Sequence, residues 1–419
     1  METVREVAYI TLSKIFKDKQ YSNLALNEAL TTYELNNLDR GFLTNVIYGV
    51  LKKNIYLDYV IKTVAKDKKI KNDMRTLLKL GIYQIMFMDK VPNYAVINEM
   101  VEICKNDMGI DASKFLNAIL RKVSKEKITI DYEEGSDEYL STKYSTTLYI
   151  IKMMKKHYGE DVLIKYLEQN EQPSIISLRV NNLKTTKEEM LKLPYFKEGY
   201  LSKDALIYVG KESLASLKEL KEGKVVVQDE SSQMVAFLVD PQENEKILDM
   251  TAAPGSKSFH MASICPKCHI TSIDLYEHRI NLLRNGARRL GIHNIESYAK
   301  DSLTLNEVYS DETFDKVLLD APCSGFGVIG RKPDILIQNK QEALDSIIAL
   351  QKGLIDVAVK LVKKKGYLIY STCTLNKKEN DLQVDYIMSK GFKLVEKRTI
   401  FNYEYKSDGF FMAKLEREE

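Results

Sequence analysis

The chain has 419 residues, of which 44% are hydrophobic and 29% are charged, and its formal net charge is +3. This length predicts two or three domains of roughly 150 residues each, and the composition is that of a folded globular protein rather than a disordered one. No run of apolar residues is long enough to span a membrane, and Glu2, Arg5 and Glu6 interrupt any signal core, so a cytoplasmic protein is predicted.

The first part of the chain combines a helical pattern with an excess of positive charge. Apolar residues recur at three- and four-residue spacing in residues 4–12, 38–51 and 74–88, which predicts an all-α bundle over residues 1–127. This part contains 21 Lys and Arg against 15 Asp and Glu, whereas the remainder contains 41 against 44. The excess indicates nucleic-acid binding modestly, and a solvated lysine-rich face explains it equally well.

An acidic segment follows, which we interpret as a linker over residues 128–140, since five Asp and Glu surround Gly135 there. Residues 141–235 then predict a small α+β (RRM-like) module. Its elements are a helix at 146–168, strands at 175–180, 206–209 and 225–227, and a short helix at 187–192.

Strand and helix patterns alternate over residues 236–419, which is typical of a parallel doubly wound, Rossmann-like α/β domain. The predicted strands are 247–250, 270–275, 295–299, 316–320 and 367–371, with a closing pair at 392–395 and 410–415. Helices are predicted at 277–290 and 341–363. Open sheets of this kind bind ligands outside the carboxyl ends of their strands.

The loop after the first of these strands contains small residues and leads into a helix, so a ligand can approach its backbone. The loop comprises Thr251, Ala252, Ala253, Pro254, Gly255, Ser256 and Lys257. Asp274 ends the second strand, where it can accept hydrogen bonds from a ribose, and Asp301 follows the third, where it can receive an adenine amine. Both the dinucleotide fingerprint and the complete P-loop are missing, which favours a nucleoside cofactor without phosphates, S-adenosylmethionine (SAM). An α/β fold with incidental loop acids is the alternative.

Two cysteines, Cys323 and Cys373, lie just after two predicted buried strands, and Asp320 precedes one of them by three residues. A single cysteine in such a place is usually a small buried hydrophobe. Two of them beside an acid indicate thiol chemistry on a bound base. The chain has only five cysteines, which suits reduced thiols rather than a disulfide framework.

A second cysteine motif, Cys265-Pro-Lys-Cys268-His269, matches haem attachment and half of a zinc site. Haem attachment of this type requires an exported protein, and structural zinc requires a second pair of ligands that the sequence does not supply. We therefore predict no metal.

Three segments together resemble the RNA cytosine-5 methyltransferase family. These are Leu248-Asp-Met-Thr-Ala-Ala-Pro-Gly-Ser-Lys257, Leu319-Asp-Ala-Pro-Cys-Ser-Gly325 and Tyr370-Ser-Thr-Cys-Thr-Leu375, the last followed by Glu379-Asn380. Gln228–Gln233 is similar to the family's segment before the cofactor domain. Leu38–Gly41 and Pro92–Glu99 are similar to the NusB-like domain of the branch that acts on bacterial small-subunit (16S) rRNA. The resemblance covers nearly the whole chain.

The resemblance implies a role for each residue of the predicted site. Cys373 would be the nucleophile, Cys323 would assist product release, Asp320 would hold the base near N3 and N4, and Lys257 would lie between substrate and cofactor. SAM would contact the loop residues Thr251, Ala252, Ala253, Pro254, Gly255, Ser256 and Lys257, together with Asp274, Arg279, Asp301 and Asp320.

The chain departs from the family pattern at Thr251, where Cys is usual, and at Ser256, where a second Gly is usual, and it contains no Trp. Neither position carries the thiol chemistry. DNA cytosine methyltransferases place their nucleophile in the Pro-Cys element, so the assignment of the two thiols could be reversed. Lys257 could also be a plain surface residue at a helix start.

The implied partner is 16S rRNA before the small subunit is fully assembled, with no membrane and no obligate protein partner. Arg179, Arg331 and Lys332 could contact RNA phosphates, although each could equally be a surface cation. Two alternatives stay open: the same chemistry on tRNA or another RNA, and a non-catalytic RNA-binding or antitermination module.

Overall fold

The computed structural model describes residues 2–66, 68–338 and 341–419. Within them the chain forms two compact units, one of residues 2–156 with 331–338 and one of residues 157–330 with 341–419. No helix in the described residues is long and apolar enough to cross a membrane.

The helices of the described residues are numbered in chain order. They are α1 (Val4–Phe16), α2 (Ser22–Thr32), α3 (Asn37–Lys52), α4 (Asn54–Ala65), α5 (Asn72–Phe87), α6 (Asn93–Met108), α7 (Ile110–Val123), α8 (Asp137–Lys143), α9 (Leu148–Tyr158), α10 (Glu160–Glu171), α11 (Lys187–Leu191), α12 (Lys218–Lys221), α13 (Glu230–Val239), α14 (Ser256–Ile264), α15 (Glu277–Leu290), α16 (Ile335–Gln338), α17 (Gln341–Leu361), α18 (Asp381–Met388) and α19 (Asn402–Tyr405). Short 3₁₀ turns occur at Leu214–Ser216 and Ser302–Glu307.

The strands are numbered in the same way. They are β1 (Ile176–Val180), β2 (Phe196–Glu198), β3 (Ala205–Tyr208), β4 (Val225–Val227), β5 (Lys246–Asp249), β6 (His269–Asp274), β7 (Ile295–Ala299), β8 (Phe314–Asp320), β9 (Val362–Thr372), β10 (Phe392–Ile400) and β11 (Phe410–Arg417).

The first unit is helical, as its three- and four-residue apolar spacing predicted. One face of each of α1, α3, α5 and α7 is buried in a shared core that includes Leu12, Val46, Leu77 and Leu120, all fully buried. This burial supplies most of the stability of such helices, because isolated helices of this length are marginal in water. The last helix of the bundle, α8, begins inside the predicted linker.

One predicted helix, at residues 146–168, is wrong, because the structure has two helices there. Gly159 lies between α9 and α10 with φ of +87°, a left-handed conformation that glycine adopts without steric cost and that ends a right-handed helix. The apolar pattern continues across this glycine, so spacing alone did not reveal the break.

The predicted α+β module is confirmed as a four-stranded antiparallel sheet in the order β2-β3-β1-β4. Leu178, Val180, Phe196 and Leu206 form its small core together with Tyr208. The sequence did not indicate β2, which has three residues and buries only Phe196.

The largest sheet has seven strands in the order β10-β11-β9-β8-β5-β6-β7. Strands β5 to β9 are mutually parallel, whereas β11 is antiparallel to both β9 and β10. The sheet is therefore mixed rather than fully parallel, since the closing pair inserts β11 between β9 and β10. The parallel strands place the carboxyl ends of β5, β6, β8 and β9 at one edge of the sheet.

Candidate active site

The predicted site residues converge on the carboxyl edge of the seven-stranded sheet. The loop 251–257 follows β5, Asp274 ends β6, Asp301 follows β7, Asp320 ends β8, and Cys373 follows β9. These residues are far apart in the sequence, and the parallel strands bring them to one edge, where doubly wound sheets bind their ligands.

The loop after β5 needs its glycine. Gly255 has φ of +113°, and a Cβ there would lie 2.3 Å from the ring of Phe259. Helix α14 begins at the next residue, Ser256, so its first backbone N–H groups point away from the helix toward this loop. The Thr251 hydroxyl donates to the carbonyl oxygen of Asp320 at 2.8 Å, which fixes the loop to the end of β8.

Asp274 is almost fully buried and is oriented by Arg279. The guanidinium of Arg279 donates to Asp274 Oδ1 at 3.1 Å and to the carbonyl oxygen of Ala253 at 2.6 Å. Arg279 therefore joins the end of β6 to the loop after β5. Asp301 is exposed and accepts from the Leu303 N–H at 2.9 Å, so it caps the following 3₁₀ turn. Its predicted contact with adenine stays a prediction.

Lys257 and Asp320 form a close ion pair. Lys257 Nζ lies 2.5 Å from Asp320 Oδ2, and the Ser371 hydroxyl donates to the other oxygen, Oδ1, at 2.7 Å. Burial by itself lowers the pKa of Lys257, but attraction to the Asp320 carboxylate outweighs it, so the net pKa lies above its ordinary value. Lys257 is consequently a cation at neutral pH, with its charge directed at Asp320.

Behind this pair lies Asp249, a buried carboxyl at the end of β5. It accepts from the Ser258 hydroxyl at 2.6 Å, and Ser258 Oγ in turn lies 2.9 Å from Ser272 Oγ. Burial, and secondarily the charge of Asp320, raise the pKa of Asp249 to about 6. Asp249 lies within the motif Leu248–Lys257, but the local sequence does not indicate a role for it.

The two thiols of the predicted site are in direct contact. Cys323 Sγ lies 3.3 Å from Cys373 Sγ, and both side chains are partly exposed. The hydrogen bond with Cys373 and burial raise the pKa of Cys323 well above its usual range. Cys323 therefore keeps its proton at neutral pH, and either thiol can be the donor in the contact between the two sulfurs.

A buried carboxylate that the sequence analysis left without a role, Glu379, holds the two cysteine loops together. It accepts from the Ser324 N–H at 2.8 Å, the Ser324 hydroxyl at 2.6 Å and the Asn376 side chain at 3.0 Å. Ser324 follows Cys323, and Asn376 lies three residues after Cys373. In the sequence, the only indication of this role is that Glu379-Asn380 follows the third motif, Tyr370–Leu375.

The neighbouring amide side chains extend this network. Asn380 accepts from the Thr372 hydroxyl at 2.6 Å and donates to the Thr374 carbonyl oxygen at 2.9 Å. Gln351 of α17 donates to the Pro322 carbonyl oxygen at 2.9 Å. All of these side chains are fully buried or nearly so, and such satisfied networks give a loop one defined conformation.

A contact between Arg179 and RNA phosphates was one of the two interpretations of this residue, and it is wrong. Arg179 is only 1% exposed. Its guanidinium donates to Gln228 Oε1 at 2.8 Å and to Ser263 Oγ at 3.3 Å. It thus joins β1 of the small module to the segment before α13 and to α14. The sequence does not indicate which face of the sheet other elements cover, so it could not predict that Arg179 is buried. The phosphate contacts of Arg331 and Lys332 stay predictions.

The two cysteines of the second motif are buried away from this edge. Cys265 and Cys268 are 8% and 0% exposed, and burial together with Cys265 raises the pKa of Cys268 to about 12. In the part of the chain that the structure describes, no group of three or more His, Cys, Asp and Glu side chains is placed to hold a metal ion.

The chain matches three protein families along its length. Residues 236–416 match the family described as 16S rRNA methyltransferase RsmB/F, and residues 2–125 match the NusB family. Residues 148–193 match the ferredoxin-like domain of the RsmF/B-like methyltransferases.

Curated relatives extend over almost the whole chain. A probable ribosomal RNA small subunit methyltransferase B from Bacillus subtilis (strain 168) is 36% identical, over 90% of this chain and 86% of the relative. The chain belongs to the 16S rRNA methyltransferase RsmB/F family. Another member of similar name, from Synechocystis sp., is 30% identical over the full length of both chains.

Solved structures show the same architecture. The crystal structure of PH0851 superposes with a TM-score of 0.84 at 25% identity, over 100% of this chain and 99% of that one. The structure of NSun6 from Pyrococcus horikoshii with SFG covers 64% of this chain and 97% of its own, with a TM-score of 0.59 at 22% identity. The resemblance to the 16S rRNA methyltransferase branch with a NusB-like domain is confirmed by the family matches and the curated relatives.

Proposed function

We propose that the chain is a SAM-dependent rRNA (cytosine-5-)-methyltransferase that modifies a cytosine of 16S rRNA through a covalent adduct between Cys373 and C6. The observation that carries this proposal is the pair of partly exposed thiols, 3.3 Å apart, at the sheet edge that also holds Lys257 and Asp320. Membership of the RsmB/F family supports 16S rRNA as the substrate.

The residues at the ends of β5 and β6 fit a nucleoside cofactor without phosphates. Asp274 presents a carboxylate at the end of β6, where a ribose would bind, and Gly255 allows the loop before α14 its positive φ and its close packing against the Phe259 ring. Lys257 is engaged by Asp320 instead of being directed at a phosphate, which distinguishes the loop from a P-loop. SAM, when bound, supplies an electrophilic methyl group. The related fold of NSun6 with SFG, a SAM analogue, is consistent with this assignment.

The thiol of Cys373 serves to activate C5 of cytosine, which is a poor nucleophile. Addition of the Cys373 sulfur to C6 gives C5 the character of an enamine carbon, which can take up the methyl group. Asp320, oriented by Lys257 and Ser371, accepts a hydrogen bond from the exocyclic amine and holds the base in place. The cytosine must leave its stack to reach these groups.

We assign completion of the reaction to Cys323, because its sulfur lies 3.3 Å from that of Cys373. After methyl transfer the C5 proton must leave, and its electron pair forms the C5–C6 double bond as the C6–sulfur bond breaks and Cys373 is released. The hydrogen bond with Cys373 is the main cause of the raised pKa of Cys323. Cys323 assists this release from its position beside the Cys373 sulfur, and a solvent base takes up the C5 proton.

Methylation of rRNA by the purified chain tests the proposal. The substrate is 16S rRNA from a strain that lacks the gene, with labelled SAM as the methyl donor, and bisulfite sequencing locates the product. We expect label in 16S rRNA and one cytosine that becomes resistant to bisulfite. Label without a resistant cytosine would exclude C5 chemistry, and no label with active relatives as controls would exclude the activity.

A further inference from the structure

The helical unit contains an open groove that the chemistry above does not use. Its volume is about 710 Å³, within the range of roughly 300–1,000 Å³ that is usual for ligand sites. Lining residues come from α4, from the start of α5, from α8 and from the segments that follow α4 and precede α8. All of them belong to the same compact unit.

The lining of the groove is strongly basic. Lys62, Lys68, Lys69 and Arg75 line it and are exposed, whereas Asp58 is the acidic residue among the described residues of the lining. Asp58 forms ion pairs with the buried Lys79, whose Nζ lies 2.8 Å from its carboxylate, and with Arg75, whose Nε lies 3.5 Å from it. The exposed cations of the lining, Lys62, Lys68, Lys69 and Arg75, outnumber the described carboxylate of the lining and face solvent.

Two aromatic rings lie beside these cations. The ring centroids of Tyr59 and Tyr132 are 5.7 Å apart, and Tyr132 is 42% exposed. The Tyr59 hydroxyl accepts from the Asp131 N–H at 2.7 Å and donates to the Thr129 carbonyl oxygen at 3.2 Å. These bonds hold the segment that carries Tyr132 against α4, so its ring is positioned in advance.

We propose that this groove binds a single-stranded segment of the RNA substrate, with phosphates at Lys68, Lys69 and Arg75 and a base stacked on Tyr132. A row of cations beside an exposed aromatic face is the combination that single-stranded nucleic acids require, since phosphates meet the cations and each base has a flat face to stack. The inference rests on the proposed function in one respect, that the substrate is RNA.

The first test measures RNA affinity as a function of salt. Binding of the full-length chain to a fluorescein-labelled single-stranded 12-nucleotide RNA is followed by anisotropy. The variant Lys68→Ala/Lys69→Ala should bind more weakly, and its plot of log affinity against log salt should be shallower by about 1.4, since each lost phosphate contact contributes about 0.7.

The matched control removes two lysines of the same unit outside the groove, Lys90→Ala/Lys105→Ala, with the same change of net charge. It should keep the wild-type slope. Equal slopes for the two double variants would overturn the proposal that the groove binds RNA, because the change in salt dependence would then come from the overall charge. An unchanged melting temperature of each variant shows that it is folded.

The second test addresses the aromatic ring. Tyr132→Ala should weaken binding of the same RNA about ten-fold, whereas Tyr132→Phe, which keeps the stacking face, should bind like the wild type. Wild-type affinity of the alanine variant would overturn the stacking contact. RNA binding that neither the lysine nor the tyrosine variants change would overturn the inference as a whole.

A kinetic measurement separates this inference from the proposed function. With 16S rRNA as substrate, the groove variants should raise KM by the same factor as the loss of affinity and leave kcat unchanged. If the wild-type chain methylates no cytosine, the proposed function fails. The direct RNA-binding tests still decide whether the groove binds RNA. A wild-type KM in all groove variants would overturn the inference with the methyltransferase activity intact.

Discussion

The two edges of the seven-stranded sheet each carry a pair of neighbouring cysteines in opposite surroundings. At the carboxyl edge, Cys323 and Cys373 are partly exposed and lie near Lys257 and Asp320. At the amino edge, between α14 and β6, Cys265 and Cys268 are buried among apolar side chains. The same residue type is thus a candidate nucleophile at one edge and a packing residue at the other.

A lysine–carboxylate pair repeats the contrast. At the carboxyl edge Lys257 meets Asp320, whose side chain is 28% exposed and can reach a ligand. At the amino edge the buried Lys316 meets Glu245 at 2.8 Å and donates to the Asp240 carbonyl oxygen. The difference shows that residue type alone does not make a cysteine or a lysine–carboxylate pair a candidate for catalysis. Such a pair must also be accessible at the ligand-binding edge, and a buried pair at the other edge only supports the fold.

The largest expected effect tests the contrast between the two thiol pairs by removing one cysteine from each. Cys373→Ala should lower methyl transfer by at least about 1,000-fold, because the attacking sulfur is gone, and leave SAM affinity unchanged. Cys268→Ala should keep nearly full activity and lose some stability, because it removes only buried packing. Methyl transfer to 16S rRNA and calorimetric SAM binding measure both. Comparable activity of the two variants would contradict the contrast.

The next effect distinguishes the two thiols of the carboxyl edge from each other. Cys323→Ala should still form the bond to C6 but release it slowly, so that a protein–RNA adduct accumulates and survives SDS. The double variant Cys323→Ala/Cys373→Ala should form no adduct. A denaturing gel with labelled RNA gives the answer. An adduct from Cys373→Ala and none from Cys323→Ala would reverse the assignment.

A smaller effect should follow from loosening the network behind these thiols. Glu379→Gln keeps the size of the side chain but replaces one acceptor oxygen with an N–H₂ group that faces the Ser324 donors. We expect kcat to fall about 10- to 100-fold, the equivalent of about one lost hydrogen bond to a charged group, with SAM affinity unchanged.

The alkylation rate of Cys373 gives a readout that a merely structural role would not move. In Glu379→Gln it should differ from the wild type while the melting temperature stays within a few degrees. The exposed Glu418→Gln serves as the control and should match the wild type in both. Unchanged kcat and alkylation in Glu379→Gln would show that the network does not position the thiols.

The smallest effect concerns the buried carboxyl at the same edge, Asp249. Its folded pKa of about 6 lies above the ordinary value near 3.9, so the folded state holds its proton more tightly. The free energy of unfolding therefore falls as pH rises between these values, by about 1 kcal/mol from pH 5 to pH 7. Asp249→Asn cannot ionise and should lack this decrease. Urea denaturation at both pH values tests it, and parallel profiles for variant and wild type would contradict it.

Local patterns determined most of the secondary structure. The apolar runs that became β5 to β9 were located within a few residues, and α15 was predicted with its observed bounds, because buried strands and amphipathic helices leave periodic signals in sequence. The motifs around Thr251, Asp320, Cys323 and Cys373 were enough to indicate the site and the family. The break at Gly159 was missed, since the apolar spacing continues across it.

Other features were decided by tertiary structure alone. The insertion of β11 between β9 and β10 depends on pairing between distant segments, which no local pattern encodes. Burial of Arg179 depends on the elements that cover β1, and the role of Glu379 depends on two loops that meet only in the folded chain. Sequence therefore indicated which residues could do chemistry. Only the packed sheet decided that Cys323 and Cys373 touch, because contacts between residues 50 positions apart are set by strand order.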